Sequence, residues 1–491
     1  MRSTLYPSRV IFVAFICSSL LYLFGLVWPY RLFAYVAATP ISFPEIAQRQ
    51  PLPAIAFLTT FLALFGFYAL VYRTCRDHPR QVPAPRILLS GLTLALLLSL
   101  TYPVGAGDVV DYVTHGEELF YFRENPLVTP PGHVPGAVLA HYSAYRMVPS
   151  NYGPLWTWIS GLVVGVLGRE SLALDLLGFK GVAIAAYLAQ ALLVYCILRR
   201  RAPDLAPAGL AFFAWNPLVL YESAVNGHND VTMMAFALLG IFFWERRQPL
   251  AMVTALTLSL LIKIPMAPLL PLFLLAAARE RNWPGFFRLV ILGGLLSAAL
   301  VALAYFSLPD PLAALTNLST RSGLLTHSLP AVLSLTLRLM GIDAETAATS
   351  AQTAALAAFA IAASLQLVRT WERPAAVLRY AFDLILFLLL FVTPWFQPWY
   401  VTWAVALAAL FPRPEASTQA GLFSLTVMFS YVVYGFVWFW IPRQANWGNT
   451  LGITLMAVAT TYLIPWGYTA WVWLKRGDAV LQRSRRRKNL P

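Results

Sequence analysis

Long apolar stretches recur along almost the whole chain of 491 residues, and they restrict the fold more than any other feature. A helix that crosses a hydrocarbon core of ~30 Å needs roughly 17–25 mostly apolar residues. The stretches that we assign as spans, several of them too short to cross alone, are 10–29, 52–72, 87–103, 172–198, 205–222, 231–244, 250–263, 265–277, 285–307, 346–369, 376–394, 398–411, 418–440 and 450–474. The sequence therefore predicts an all-α, polytopic membrane protein with about 12–14 transmembrane helices, forming a single domain over residues 1–491.

The scarcity of charge supports the same class of protein. Charged residues make up 11% of the chain, whereas an ordinary soluble domain contains about 25%, so the charges are too few to coat a soluble chain of this length. The three cysteines lie far apart, which excludes a disulfide-rich secreted scaffold. The net charge of +14 is best explained by Lys and Arg on cytoplasmic loops, and no nucleic-acid partner is expected.

The distribution of Lys and Arg indicates the orientation of the chain. If the apolar segment 154–168 lies on the outer surface as an amphipathic helix, every inner loop is basic and both termini are cytoplasmic. If that segment crosses the membrane, the arginine triplet 199–201 lies outside. We therefore place segment 104–171 on the outer side as a large loop with juxtamembrane helices. The basic tail 475–491 is placed in the cytoplasm, where it contacts anionic membrane lipids.

Polar side chains collect on the predicted outer side. Five of the six histidines lie in outer loops or at outer helix ends, and the long segment 104–153 carries five carboxylates. A loop of this length in a compact protein is usually functional. Any chemistry is therefore expected at the outer face of a multi-pass protein of the cell membrane.

The first acidic motif opens that loop. Asp108 and Asp111 are three residues apart, so they share one face if the segment is helical, and both follow the third predicted span closely. A carboxylate that is partly desolvated at the membrane boundary can have its pKa raised toward that of a useful general base. A solvated loop acid is the alternative, and the neighbouring Gly105 and Gly107 weigh against it for Asp108.

The second motif, Asn-Gly-His-Asn-Asp at 226–230, joins two apolar runs without any Lys or Arg. An Asn-Gly turn followed by Asp230 as a helix cap is one explanation. His228 and Asn229 are not needed for such a turn, so the motif is also a candidate for substrate binding.

The third candidate is a cation within an apolar run. Lys263 costs roughly 2.5–3.5 kcal/mol if it lies at the centre of a membrane helix. Pro265 interrupts the helix directly afterwards, and broken helices are tolerated where they line a cavity. Lys263 either reaches the headgroups or, as we favour, binds the phosphate of a lipid. A further outer loop offers Arg321, a second phosphate candidate, and His327.

The fourth candidate is the aromatic segment 393–403. Trp399 and Tyr400 are typical of a membrane interface, but Gln397 between two Trp-Pro units is not. Aromatic rings beside an amide are suited to a sugar ring, which has an apolar face and hydroxyl groups at its rim. No metal-binding motif and no Gly-rich nucleotide loop is present, so the sequence predicts neither a metal nor another cofactor.

In this order, the motifs resemble those of the GT-C superfamily of membrane glycosyltransferases, and within it those of bacterial polyprenyl-phosphate-mannose-dependent mannosyltransferases. The matching residues are Asp108-Val-Val-Asp111-Tyr112 with Asn125-Pro126, Tyr152-Gly153-Pro154-Leu155-Trp156, the 226–230 motif, Lys263 with Pro265, and Trp395-Phe-Gln397-Pro-Trp399-Tyr400. Each motif alone is weak, whereas the ordered set, which extends over most of the chain, is moderately specific.

The resemblance implies an inverting glycosyltransferase that moves a sugar, in first place mannose, from a polyprenyl-phosphate donor to a glycolipid or glycan acceptor. Asp108 matches the family's catalytic base, and Asp111 is the second catalytic candidate. A lipid monophosphate leaving group can be neutralised by Lys263 or Arg321 without a divalent metal. The residues expected to bind the substrates are Tyr112, His228, Asn229, Asp230, His327, Gln397, Trp399 and Tyr400.

A multi-span lipid or glycolipid transporter or flippase is the alternative, and a structural membrane scaffold is a weaker one. Transporters usually have inverted repeats and charged residues near the middle of the membrane. Here the clear candidates for such residues are Asp175, Lys180 and Asp383. Because the polar residues cluster at one face instead, the sequence favours chemistry at the surface over alternating access.

Overall fold

Each predicted apolar stretch is helical over most of its length in the computed structural model. The structure describes residues 7–316, 325–411, 414–441 and 447–488, and within these ranges the regular secondary structure is helical, with two isolated β-bridges. The prediction of an all-α protein is confirmed.

The helices of the first half of the chain include two interrupted helices, which are described below. They are α1 (Pro7–Val27), α2 (Pro51–Asp77), α3 (Ala84–Ser99), α4 (Asp108–Phe122), α5 (Pro154–Leu167), α6 (Leu172–Arg201), α7 (Ala206–Ala214), α8 (Pro217–Leu220), α9 (Asn229–Glu245), α10 (Pro249–Ile262) and α11 (Leu269–Arg279). Short helical turns at Leu32–Tyr35 and Phe43–Ile46 connect α1 to α2, and α8 continues as a π-turn at Tyr221–Val225.

The helices of the second half complete the bundle. They are α12 (Trp283–Phe306), α13 (Leu329–Leu339), α14 (Ala344–Glu372), α15 (Pro374–Val392), α16 (Val401–Ala408), α17 (Pro414–Trp440) and α18 (Trp447–Lys488). The basic tail is the continuation of α18 as far as Lys488, and residues 489–491 lie outside the described part of the chain.

Within the described ranges, eight helices are long and apolar enough to cross a membrane, namely α1, α2, α6, α12, α14, α15, α17 and α18. Shorter apolar helices, among them α3, α5 and α10, accompany them. The polytopic membrane fold is therefore confirmed, while the number of about 14 spans stays a prediction. The predicted surface helix α5 has 14 residues, a rise of about 21 Å, which falls short of the hydrocarbon thickness.

Two broken helices bring polar groups into the bundle. The first break is at Asn216, between α7 and α8. The side-chain oxygen of Asn216 accepts hydrogen bonds from the backbone N–H groups of Leu218 and Val219 at 3.0 and 3.2 Å. After α10 the backbone becomes extended at Lys263, and Pro265 cannot continue an α-helix because it has no N–H to donate. The second break lies beside α9, which packs against α6 and α10.

The segment between α4 and α5 folds back over α4. At Gly116 an added Cβ would meet the backbone oxygen of Ser160 at 2.4 Å, so glycine lets α4 and α5 pack closely. The carboxylate of Glu117 accepts hydrogen bonds from the backbone N–H groups of Val138 and Leu139 at 3.0 and 2.9 Å. These contacts hold the loop that follows α4 against it, so the first turn of α4 is in a fixed place.

Candidate active site

Asp108 and Asp111 lie on the first turn of α4 and open into the same cavity, which has a volume of about 700 Å³. The other residues of its wall are Gly105, Ala106, Gly107, Tyr145, Val148, Asn151, Tyr152, Lys263, Trp395, Gln397, Trp399 and Tyr400. The structure therefore brings the predicted carboxylates, the predicted cation and the aromatic motif together, although they are far apart in sequence. We call this space the larger cavity.

The two carboxylates have different surroundings. The hydroxyl of Tyr152 donates a hydrogen bond to Oδ2 of Asp108 at 2.9 Å, and Asp108 keeps 19% of its side chain exposed. Asp111 is buried and accepts a hydrogen bond from Oγ of Ser143 at 2.6 Å. Burial raises the pKa of Tyr152 well above its ordinary value, and the negative charge of Asp108 adds to this effect, so Tyr152 remains a donor.

Gly153 places Tyr152 beside the cation. The backbone N–H of Gly153 donates to the carbonyl of Ile262 at 2.9 Å. A Cβ at position 153 would lie 2.0 Å from the backbone oxygen of Leu261, so only glycine allows this approach. The Tyr-Gly-Pro motif therefore joins the loop between α4 and α5 to the end of α10, directly before Lys263.

Lys263 forms an ion pair inside the protein. Its Nζ lies 2.8 Å from Oδ2 of Asp230 and 4.8 Å from the centre of the Tyr400 ring, and 13% of its side chain is exposed. Oδ1 of Asp230 accepts a hydrogen bond from the indole N–H of Trp403 at 2.9 Å. Because Asp230 is fully buried and holds both partners, it acts as the counterion that positions Lys263 at the cavity wall.

The 226–230 motif organises the segment before Asp108. The side-chain oxygen of Asn226 accepts a hydrogen bond from the backbone N–H of Gly105 at 3.0 Å. A Cβ at Gly105 would lie 2.4 Å from the amide nitrogen of Asn226, so this contact also requires glycine. The ring of His228 is fully buried and stacks on Trp399 with 4.0 Å between ring centres.

A smaller cavity of about 540 Å³ lies beside the first, and residues 105–107, Tyr145, Gln397 and Trp399 border both. The remaining wall includes residues of the connection between α1 and α2, of the segments before α4 and α13, and of the end of α17. They are Ser42, Phe43, Glu45, Tyr102, His327, Tyr431, Tyr434, Gly435 and Phe439. We call this space the smaller cavity. Of the predicted sugar-binding residues, Gln397 and Trp399 border both spaces, His327 borders the smaller and Tyr400 the larger.

Four predicted substrate-binding residues do not reach either cavity wall, namely Tyr112, His228, Asn229 and Asp230. Tyr112 and Asn229 are fully buried, and the backbone N–H of Asn229 donates to the Tyr112 hydroxyl at 3.3 Å. Tyr112 packs edge-on against Trp156 with 4.9 Å between ring centres. The side chains of these four residues are enclosed by protein. They therefore lie behind the residues of the cavity wall and hold those residues in place. Arg321, the second phosphate candidate, lies outside the described residues.

Glu222 is a site residue that the sequence did not suggest. It is fully buried next to the 226–230 motif, and its carboxylate accepts hydrogen bonds from the Tyr431 hydroxyl and, at 2.7 Å, from the amide of Asn226. The only signal in the sequence is a carboxylate at the end of an apolar run. Burying a carboxylate without partners is unfavourable in free energy. A carboxylate in an apolar run is therefore expected to have polar partners, and this expectation could have identified Glu222 as a site residue.

The arrangement suits a group transfer with charge separation. A partly exposed carboxylate at a cavity wall can take a proton from a hydroxyl group, provided that the hydroxyl approaches within hydrogen-bond distance. A cation on the same wall can stabilise negative charge that develops on a leaving group. Asp108 and Lys263 fulfil these two conditions within the larger cavity.

The comparison with protein families agrees with this chemistry. A family model described as alpha-(1->6)-mannopyranosyltransferase, N-terminal domain, matches residues 24–279, just over half of the chain. The matched part contains Asp108, Tyr152, the 226–230 motif and Lys263. No curated protein matches the chain. The chain therefore belongs to the alpha-(1->6)-mannopyranosyltransferase family of membrane glycosyltransferases.

Proposed function

We propose that the protein is an inverting mannosyltransferase that uses polyprenyl-phosphate mannose as donor and a glycan or glycolipid as acceptor. The observation that carries this proposal is the joint presence of Asp108 and Lys263 on the wall of the larger cavity. One group can remove a proton and the other can neutralise a phosphate. The active site faces the outer side of the cell membrane in this proposal, because the basic loops define the opposite side as cytoplasmic.

The reaction is a single displacement at the anomeric carbon. Asp108 takes the proton of an acceptor hydroxyl, whose oxygen forms the new bond to the sugar while the bond to the phosphate breaks. The phosphate leaves with the bonding electrons, and Lys263 stabilises its charge. Attack opposite to the leaving group inverts the anomeric centre, so an α-linked product requires a β-linked donor.

The two cavities suggest where each substrate binds. We assign the donor's phosphate and sugar to the larger cavity, which contains Lys263, and the acceptor to the smaller cavity. Residues 105–107 separate them directly before Asp108. An acceptor that reaches across this segment brings its hydroxyl to Asp108, whereas the lipid chain of the donor extends into the bilayer.

A transfer assay tests the proposed function. The purified protein is incubated with polyprenyl-phosphate mannose, glucose or arabinose and with octyl α-mannoside as acceptor. We expect transfer from the mannose donor alone, with an α-linkage in the product and none with the Asp108→Asn variant. The proposal would be contradicted if no donor gave transfer while labelled polyprenyl-phosphate mannose crossed the bilayer of proteoliposomes that contain the protein. That result would support a flippase.

Cysteine labelling tests the orientation. Cys17, Cys75 and Cys196 are free and are first replaced by Ser. A cysteine at Val138, which is 50% exposed, is expected to react with a membrane-impermeant reagent in intact cells. A cysteine at Arg80, whose side chain is 88% exposed, should react only after permeabilisation. The opposite pattern would place the site on the cytoplasmic side.

A further inference from the structure

Glu222 and His228 have no part in the reaction described above, yet they form a line that ends at Asp108. Nε2 of His228 lies 3.3 Å from Oε2 of Glu222, and Nδ1 lies 3.8 Å from Oδ2 of Asp108. Both His228 and Glu222 are fully buried. An imidazole ring thus connects a carboxylate at the cavity wall with a carboxylate that is enclosed by protein.

The surroundings of His228 leave its two nitrogens available. Within the part of the chain that the structure describes, neither ring nitrogen has a hydrogen bond of good geometry. The ring plane is fixed instead by stacking on Trp399, with an angle of 21° between the planes. The ring can therefore form hydrogen bonds along the line to Asp108 and Glu222 once the site tightens around substrates, as catalytic groups often do.

Glu222 is the closer of the two carboxylates that face the ring, so it favours one tautomer. A carboxylate at one ring nitrogen attracts the N–H to that nitrogen, which leaves a lone pair on the other. With the N–H on Nε2, the lone pair of Nδ1 faces Asp108. This is the tautomer that can accept a proton from Asp108.

We propose that Glu222 and His228 form a proton relay behind Asp108. This inference rests on the proposed function. Asp108 takes the proton of the acceptor hydroxyl and passes it to Nδ1 of His228, while the Nε2 proton moves to Oε2 of Glu222. Asp108 thereby recovers its negative charge, His228 stays neutral, and Glu222 becomes a neutral carboxylic acid. The same steps in reverse return the proton to water in the cavity when the products leave.

The charge balance favours a relay through a neutral ring. Burial lowers the pKa of His228 well below its usual range, and the positive charge of Lys263 adds to the effect. The groups that face the ring are Asp108 from α4, Glu222 from the turn after α8, and Lys263 from the end of α10. Burial also raises the pKa of Glu222 from 4.5 to about 8, so the ionised Glu222 readily accepts and retains a proton. Since an imidazolium ion is disfavoured here, His228 passes the proton on without keeping it.

The relay differs from a purely structural role because it couples two protons to the chemical step. Single-turnover transfer from polyprenyl-phosphate mannose to octyl α-mannoside is measured in mixtures of H₂O and D₂O. The wild-type rate should curve with the deuterium fraction, as expected for several protons in motion. His228→Phe, which keeps a ring against Trp399, should give a straight line and a rate lower by about 10²-fold, the low end for positioned proton transfer.

A double-mutant comparison supplies the second readout. We expect Glu222→Gln to lower the transfer rate by about as much as His228→Phe, with unchanged KM for the donor, and the double variant to lose no more than either alone. Tyr187→Phe removes a buried hydrogen bond of 2.7 Å to the Ala214 carbonyl away from the site. It should keep the wild-type rate and serves as the matched control.

The role of Glu222 in holding Asn226 is tested separately. Glu222→Gln places two amides against each other, whereas the pair Glu222→Gln with Asn226→Asp restores a donor and an acceptor at these positions. We expect the pair to recover thermal stability but not the transfer rate. Full recovery of the rate, additive losses, or a linear wild-type isotope plot would overturn the relay. Even if one of these results overturns the relay, the proposed function is retained when the wild type transfers mannose and Asp108→Asn does not.

Discussion

The two cavities meet at residues 105–107 but differ in charge. The larger contains two carboxylates and the Lys263 ammonium group, and the smaller is lined by aromatic, hydroxyl and aliphatic groups. Among the described residues of its wall, one is a carboxylate, Glu45, which accepts hydrogen bonds from the backbone N–H and the hydroxyl of Ser42 at 2.8 and 2.7 Å. Burial lowers the pKa of His327 well below its usual range, so this ring adds no charge at neutral pH.

Under the proposed function, this difference in charge matches the two cavities to two dissimilar substrates. A charged phosphate requires a cation whose own charge is balanced, which the Lys263–Asp230 pair provides. A neutral glycan binds through ring faces and hydroxyl groups, as aromatic walls allow. The shared border places the reactive centre where the two chemistries meet.

We expect the largest effect on the transfer rate from Asp108, which directly follows the segment 105–107 that the two cavities share. Asp108→Asn keeps the shape and the hydrogen bond from Tyr152 but removes the basicity, so kcat should fall by about 10²–10⁴-fold. The KM of the donor should change little, because the phosphate binds elsewhere. Asp111→Asn should have a milder effect, since its carboxylate is held by Ser143. A severe loss with Asp111→Asn and near-normal kcat with Asp108→Asn would show that the roles are reversed.

The second effect concerns donor binding by Lys263. Lys263→Ala alone would leave Asp230 buried without its partner, which typically costs about 3–5 kcal/mol of stability. The pair Lys263→Met with Asp230→Asn removes both charges and should fold. We expect this pair to raise the donor KM by about tenfold or more, because hydrogen bonds to charged groups contribute about 1.5–3 kcal/mol. Lys263→Arg should retain part of the affinity.

A donor KM that stays unchanged in the double variant would mean that Lys263 serves only to balance Asp230. The acceptor KM is the internal control, because Lys263 borders only the larger cavity, to which the donor is assigned. A rise in both KM values would indicate a general distortion of the site instead of a lost phosphate contact.

Sequence order and residue chemistry were sufficient to identify the larger cavity. Asp108, Lys263 and Gln397 each interrupt an apolar context, and the structure places all three on one wall. The contacts that support them could not be predicted in this way. Tyr431 and Glu222 are 209 residues apart in the chain, and helix periodicity contains no information about which distant helix packs against a given face. Much of the wall of the smaller cavity comes from parts of the chain without any motif, namely the connection between α1 and α2 and the end of α17.

The third effect tests the acceptor assignment. Gly435 borders the smaller cavity, and an added Cβ there would lie no closer than 4.0 Å to another atom, Cδ of Pro44. Gly435→Leu should therefore fold and narrow the cavity. We expect the acceptor KM to rise about fivefold, equivalent to about 1 kcal/mol, with an unchanged donor KM. Gly294→Leu, at an exposed position on α12 with no atom within 4 Å of the added Cβ, is the matched control.

A rise in the donor KM with Gly435→Leu would contradict the assignment of the two substrates to separate cavities. No change in either KM would show that the acceptor does not enter the smaller cavity as far as the end of α17. Both outcomes are read in the same transfer assay, with each substrate varied in turn.

The smallest effect comes from a carboxyl group on α4 that borders neither cavity. Burial raises the pKa of Glu118 from 4.5 to about 9, and the negative charges of Glu117 and Glu124 add to this. Between these two pH values the folded protein holds a proton on Glu118 that the unfolded chain has lost. The folded state therefore becomes less stable as the pH rises through this window, by at most about 1.4 kcal/mol per pH unit for a single proton.

Glu118→Gln should remove this dependence, because the amide keeps the shape of the neutral acid and cannot ionise. We expect the melting temperature in detergent to fall less steeply between pH 5 and 9 in the variant, and to exceed that of the wild type at pH 8. Glu124→Gln removes an exposed negative charge near Glu118 and should reduce the wild-type slope only slightly, because burial is the largest cause of the raised pKa of Glu118. Equal slopes in all three proteins would mean that Glu118 ionises in the folded state as freely as in the unfolded chain. The transfer rate of Glu118→Gln at pH 7 should match the wild type, because the charges that act on the substrates are those of the larger cavity.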